Sequence, residues 1–168
     1  AIAAQLNGKI YVAGWGSIPN QANSTAKLIR LNADGTLDTS FMDEGVYEYT
    51  NGSTSTYFND LKVLSDGSLF VAGEGGIPLG GVIAKFTPSG APDTTFSGDG
   101  VTNVSAITRI YGLTVQPDGK IIGCGSNGSG ASTRNGKIVR LSTSGTLETD
   151  VFSNFGNANN NEIFECAL

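Results

Sequence analysis

The 168-residue chain contains no histidine. Ser-His-Asp and Cys-His nucleophilic catalysis go with that absence, and so do imidazole metal sites. Cysteine is nearly missing too. Cys124 and Cys166 are too few for a disulfide scaffold, and too few for a zinc site without histidine. Charged residues make up only 15% of the chain and the net charge is −5. There is no basic run and no interleaving of basic with aromatic residues, so a phosphate backbone would be repelled and nucleic acid is not an expected partner. No apolar run approaches the roughly 18 residues of a membrane-spanning helix. No long segment carries a 3.6-residue apolar period, which argues against helices. The opening residues, Ala-Ile-Ala-Ala-Gln, lack a charged segment leading into an apolar core. A signal peptide is therefore expected to be absent or lost with upstream sequence.

Glycine is abundant. The 24 glycines are about one residue in seven, against a usual share of roughly 7%. They fall in a pattern. Gly8, Gly67 and Gly119 each close a turn, at Asn-Gly, Asp-Gly and Asp-Gly, and a matching strand follows: KIYVAG (9–14), SLFVAG (68–73) and KIIGCG (120–125). Such dipeptides suit a type I′ hairpin with positive φ at both central residues. A variable polar stretch comes next. It leads to KLIRLNADGTLDTSF (27–41), VIAKFTPSGAPDTTF (82–96) and KIVRLSTSGTLETDVF (137–152), the last with one extra residue near Asp150. LIRL, IAKF and IVRL alternate as half-buried strands do. VYEY (46–49) and VTNV (101–104) supply a fourth strand for the first two copies, and DLKVL (60–64) and GLTVQ (112–116) are first strands.

Four antiparallel strands per repeat of about 52–59 residues predict an all-β fold of β-propeller blades, three of them, part of a larger propeller. The boundaries are expected at 1–56 for the first repeat (its first strand partial), 57–108 for the second and 109–161 for the third. Residues 162–168 should begin the first strand of a fourth, because IFECAL (163–168) matches IYGLTV (110–115). A blade must pack against neighbours. The chain is therefore expected to belong to a longer polypeptide, or to complete a ring or stack with other blades.

VQPDGKI (115–121), followed by GTLDTSF (35–41) and SGDG (97–100), resembles the delta-60 repeat, a β-propeller repeat of large bacterial surface and secreted proteins. The resemblance covers essentially the whole chain. The third copy departs from it, with GTLETDVF for GTLDTSF and SNFGNANN in place of the Gly-Asp-Gly corner. The resemblance implies an extracellular or cell-surface bacterial setting and a long multidomain parent, similar to gliding-motility or adhesion proteins exported by type 9 secretion. It implies no assigned chemistry. The expected function is thus a non-catalytic scaffold or binding module, with surface glycan or secretion and adhesion machinery as candidate partners. Two alternatives stand beside it: a polysaccharide-active enzyme using acidic residues near a propeller channel, and a structural subunit of a surface filament.

No catalytic set and no resident cofactor is expected. Asp38 and Asp93 recur at one blade position, and with Asp43, Glu44 and Asp99 they offer oxygens for a calcium ion. The competing reading is an Asx turn, with the following Phe41 or Phe96 anchoring the corner. Asp34, Asp66 and Asp118 are read as turn residues rather than as catalytic carboxylates. Cys124 stands where Ala13 and Ala72 stand in the other copies, and Cys166 where Leu61 and Leu113 stand. Both are expected to be buried free thiols, since a disulfide would need the Cα atoms within about 7 Å. Asn23, Asn51, Asn103 and Asn127 open Asn-X-Ser/Thr sequons that composition accounts for. Trp15, with Tyr11, Tyr47, Tyr49 and Tyr57, is the aromatic candidate for stacking on sugar. It is placed just past a strand end, in part exposed.

Overall fold

Alternation and glycine turns together build twelve strands, and there is no helix among the described residues. The computed structural model describes residues 1–17, 23–42, 44–51, 54–76, 80–128, 134–153 and 161–167. The strands are β1 (Ile2–Ala4), β2 (Ile10–Ser17), β3 (Ser24–Leu31), β4 (Val46–Tyr49), β5 (Tyr57–Val63), β6 (Leu69–Gly76), β7 (Gly80–Phe86), β8 (Val101–Val104), β9 (Arg109–Val115), β10 (Ile121–Asn127), β11 (Asn135–Leu141) and β12 (Leu147–Ser153). They form three four-stranded antiparallel sheets, each in plain sequence order. These are three β-propeller blades.

One turn type is used six times. The Gly8 amide donates to the Gln5 carbonyl and the Gln5 amide to the Lys9 carbonyl. The same pair of bonds recurs at Gly35, Gly67, Gly90, Gly119 and Gly145. Positive φ is confined to the glycine, at 84° in Gly8, 87° in Gly67 and 83° in Gly119, while Asn7, Asp66 and Asp118 stay out of the left-handed region. The hairpins are therefore three-residue loops, a type I turn closed by a glycine bulge, and not the type I′ turns expected from the dipeptides. Local hydrogen bonding explains the difference. The side-chain oxygens of Asn7, Asp34, Asp66 and Asp118 each accept the amide two residues on, which holds them in an Asx turn with ordinary φ.

The blades meet face to face. Leu69, Val71, Val82 and Ala84 of blade 2 pack with Tyr11, Ala13, Leu28 and Phe41 of blade 1. Phe70, Ala72 and Ile83, the neighbours of those residues along the same strands, turn the other way. They pack with Ile110, Leu113, Ile121 and Val139 of blade 3. Blade 2 is thus apolar and covered on both faces. Each seam is finished by a corner phenylalanine. Phe41 lies under the turn glycine Gly90 of blade 2, and Phe96 lies under Gly145 of blade 3, where an added Cβ would stand 3.0 Å from the ring. Both phenylalanines are fully buried.

Blade 3 departs from the other two. After the Gly145 turn the chain runs straight back as β12, paired with β11 from Gly136 opposite Ser153 to Leu141 opposite Leu147. In blades 1 and 2 the matching residues make only a single bridge, Leu31 with Leu37 and Phe86 with Pro92, before turning the corner. Glu148 has replaced the aspartate of the corner, and its longer side chain does not make the short Asx turn. Most of the segment SNFGNANN (153–160) lies outside the described residues, as does Leu168. Residues 161–167 form no strand, in contrast to the first strand expected there. Their backbone instead meets the end of blade 3, with the Asn161 amide on Arg134 O and the Ile163 amide on Gly125 O.

Two glycine substitutions separate backbone strain from packing. Gly35 has φ +84° with open space around its Cβ position, while Gly90 has φ +100° with the Phe41 ring at that position. Gly35→Ala should cost about 1–2 kcal/mol, from the left-handed backbone alone. Gly90→Ala should cost that plus a further ~1–3 kcal/mol of overpacking. Chemical denaturation of the two variants beside the parent checks the ordering, which comparable losses would contradict.

Candidate functional site

The recurring aspartate of the corner is the residue that the sequence marks most clearly for chemistry. In the structure its oxygens are already engaged. Asp38 Oδ1 accepts the amide and hydroxyl of Ser40. Its Oδ2 lies 2.7 Å from both Arg30 Nε and Lys9 Nζ, and the Asp38 side chain is buried. Asp93 repeats the pattern: Oδ1 takes Thr95 N and Oγ1, and Oδ2 takes Lys85 Nζ at 2.7 Å. The guanidinium of Arg30 also stacks over Phe41 and the Lys85 ammonium over Phe70, at 4.7 and 5.6 Å from the ring centroids. Blade 3 keeps the charges and changes the geometry, with Glu148 Oε2 3.1 Å from both Lys120 and Arg140.

This cluster is a corner lock. The cation comes from strand three (Arg30, Lys85, Arg140) and the anion from eight residues further on (Asp38, Asp93, Glu148). The eight-residue recurrence was in the sequence, but only the fold shows that it closes one turn. The Lys9 hydrogen bond, followed by that of Ser40, holds Asp38 well below the usual carboxylate range. Lys85 and then Thr95 also lower the carboxyl of Asp93. A calcium ion would have to displace these ammonium and guanidinium partners. Asp99 spends its Oδ1 on the amide of Val101, and Asp43 lies outside the described residues. No group of three or more Asp, Glu or Cys side chains is gathered for a metal among the described residues.

The aromatic candidates separate. Tyr11 is fully buried in the first seam. Tyr47 packs on Phe58 and Phe86, and burial, aided by neighbouring Tyr49 and Asp99, pushes its phenol up to about 12. Tyr49 faces Phe58. None of these three forms a free platform. Trp15 does reach solvent, at 60% exposure. It lies inside β2, opposite Ala26, rather than past the strand end as expected, because the hairpin continues two residues beyond it. Its ring meets Tyr57 edge-on at 5.4 Å. The same place in the next seam holds an ion pair, Glu74 with Arg109 at 2.7 Å, so Trp15–Tyr57 is also a contact between blades. Of the sequon asparagines, Asn51 donates its Nδ2 to Gly75 O, Asn127 accepts from Thr108 Oγ1, and Asn103 is exposed on β8.

The cysteines are not free. Cys124 and Cys166 form a disulfide with Cα atoms 6.2 Å apart, which corrects the expected pair of buried thiols. Their separation of 42 positions hides the pairing in the sequence. Only the return of residues 161–167 onto blade 3 brings them together.

The depressed carboxylates predict an acid limb. A group whose pKa is lower folded than unfolded stabilises above its unfolded value, near 3.9 for aspartate, and loses that contribution as pH falls through the folded value. Asp38→Asn should therefore melt lower than the parent at neutral pH and lose less midpoint between about pH 4 and pH 2. Melts across that range check it, and parallel acid limbs would contradict it.

A search of curated proteins returns no match. The sequence profile of the family described as "Domain of unknown function (DUF5122) beta-propeller" matches residues 5–41, 64–96 and 116–150. Each match runs from the first hairpin turn of a blade through its cationic strand three to the corner segment, so the corner lock and the glycine turn fall inside the family pattern. With more than half of its residues matched across three blades, the chain belongs to the DUF5122 β-propeller family.

Proposed function

We propose that the chain is a non-catalytic scaffold or binding segment of a larger bacterial secreted or cell-surface protein, with repeats of the delta-60 kind. The observation that carries this reading is the pair of outer blade faces against which no further blade packs among the described residues. Ile10, Val12, Ile29 and Leu31 on blade 1 are the repeat counterparts of Leu69, Val71, Ala84 and Phe86, which are buried against a neighbouring blade. Ile122 and Ile138 on blade 3, with Val151 49% exposed beside them in a shallow apolar depression, are placed where Phe70 and Ile83 are covered. Further blades, of the same polypeptide or of other chains, are the covering that repeat symmetry calls for. The disulfide fits an oxidising, extracytoplasmic compartment. The ion-pairing of Asp38, Glu48, Glu74, Asp93, Glu148, Asp150 and Glu162 with lysine or arginine argues against the polysaccharide-active alternative. That chemistry needs two carboxylates about 5–10 Å apart and free to act.

Intact mass spectrometry of the protein from its own source is the first test. The expected result is a covalent mass above 17.3 kDa or an assembly of several chains, and a cooperatively folded monomer of that mass would overturn the reading. A screen against glycans and glycosidase substrates is the second. Turnover abolished by one Asp→Asn change would sink the scaffold, whereas glycan binding lost in Trp15→Ala, without turnover, would make it a binding module.

A further inference from the structure

The disulfide occupies a repeat position of its own. Counting from the turn glycines, Cys124 stands in β10 where Ala13 stands in β2 and Ala72 in β6, and Cys166 stands where Leu61 stands in β5 and Leu113 in β9. Ala13 and Leu61 share the core of the first seam, and Ala72 and Leu113 share that of the second. Each of those pairs joins the second strand of one blade to the first strand of the next. The cysteine pair makes the same connection covalently.

We propose that Cys124–Cys166 is a blade-to-blade staple. It fixes the segment 161–167 on the outer face of blade 3 in the register of a following first strand, and it makes this seam the one that responds to thiols. The surroundings agree with that register. In the second seam Glu74 meets Arg109 at the start of β9. At the matching start of the tail, Glu162 accepts from Arg134 at 2.6 Å and from the Tyr111 hydroxyl at 3.3 Å. Phe164 lies 5.3 Å from Tyr111, ring to ring. Gly112 permits the approach: a Cβ there would stand 2.8 Å from Glu165 Cα and 2.9 Å from Cys124 Sγ.

The third seam also needs the link more than the other two. Its described residues form no Asp-anchored corner of the kind that tucks Phe41 and Phe96 under the neighbouring glycine turn, because β12 runs on as a strand instead. The tail has no strand pairing, and Phe164 remains 67% exposed. With so little buried apolar contact, such a segment lies at the low end of local stability unless it is cross-linked. Formation balances as ordinary thiol–disulfide exchange with a disulfide oxidant such as oxidised glutathione. One cysteine thiolate attacks a glutathione sulfur and releases one glutathione thiol. The second cysteine then displaces the other, so two protein thiols become one disulfide and the oxidant becomes two thiols.

Refolding the chain with oxidised and reduced glutathione, then alkylating in denaturant, tests the bond. The expected result is no alkylated thiol and a cross-linked peptide pair carrying Cys124 and Cys166. Alkylation of both residues would overturn the proposal. Hydrogen exchange with and without a thiol reductant tests the consequence. The amides of Asn161 and Ile163 should exchange about tenfold faster on reduction while β5–β7 are unchanged, and unchanged exchange at Asn161 and Ile163 would overturn it. Cys124→Ala combined with Cys166→Leu restores the Ala–Leu pair of the other seams and should melt independently of reductant. If that variant does not fold, the exchange of the parent chain decides.

Discussion

Blade 2 cannot exist with either face bare, and the rest of the structure follows from that constraint. Leu69 and Val71 point to one side of β6, and Phe70 and Ala72 to the other. Burying a side chain of the Leu, Val or Phe type contributes about 1.5–3 kcal/mol relative to leaving it in water. A four-stranded sheet with apolar rows on both faces therefore gains its stability at seams rather than within itself. Seams of this kind repeat when the sequence repeats, because each blade presents to its successor the counterpart of the surface that its predecessor presented to it.

The polar features serve those seams. The corner lock of Arg30 with Asp38, or of Lys85 with Asp93, bends the chain sharply enough to lay Phe41 or Phe96 across the next blade's turn. A buried charge tolerates that location because it is paired and hydrogen-bonded. Arg30 also lies over Phe41, the ring that its corner places, while Lys85 lies over Phe70 of the same blade. The glycine turns contribute from the other side, since a side chain at Gly90 would collide with the phenylalanine beneath it. Corner, ring and turn form one device, used at two seams.

At the third seam the described residues form no Asp-anchored corner, and different chemistry stands in its place. Glu148 keeps the charge of Asp38 and Asp93 but not their reach, so the chain continues as β12, and a disulfide ties blade 3 to the segment that follows. The outermost contact between consecutive blades varies in the same manner: an aromatic pair at Trp15–Tyr57, an ion pair at Glu74–Arg109, and an Arg134–Glu162–Tyr111 set at the tail. One position in the repeat thus accepts several chemistries, provided that they join neighbouring blades.

By itself the sequence determined the three repeats, the strands of blades 1 and 2 and the place of each turn, because alternation and glycine spacing are local signals that repeat; it did not mark β12, and the first strand expected at 162–168 is not formed over 161–167. VYEY and VTNV read as fourth strands and are β4 and β8. The Asx reading of Asp38 and Asp93 was legible for the same reason, since the bond spans two residues. Three features were decided only by tertiary structure. The turn is type I with a glycine bulge, a choice that Asp-Gly and Asn-Gly dipeptides do not dictate. The corner aspartates face lysine and arginine brought in from other strands, which removes the oxygens that a cation reading required. Finally, Cys124 and Cys166, 42 residues apart, meet because the chain returns across the face of blade 3. Contacts between distant residues depend on where whole strands are laid, and no local pattern encodes that placement.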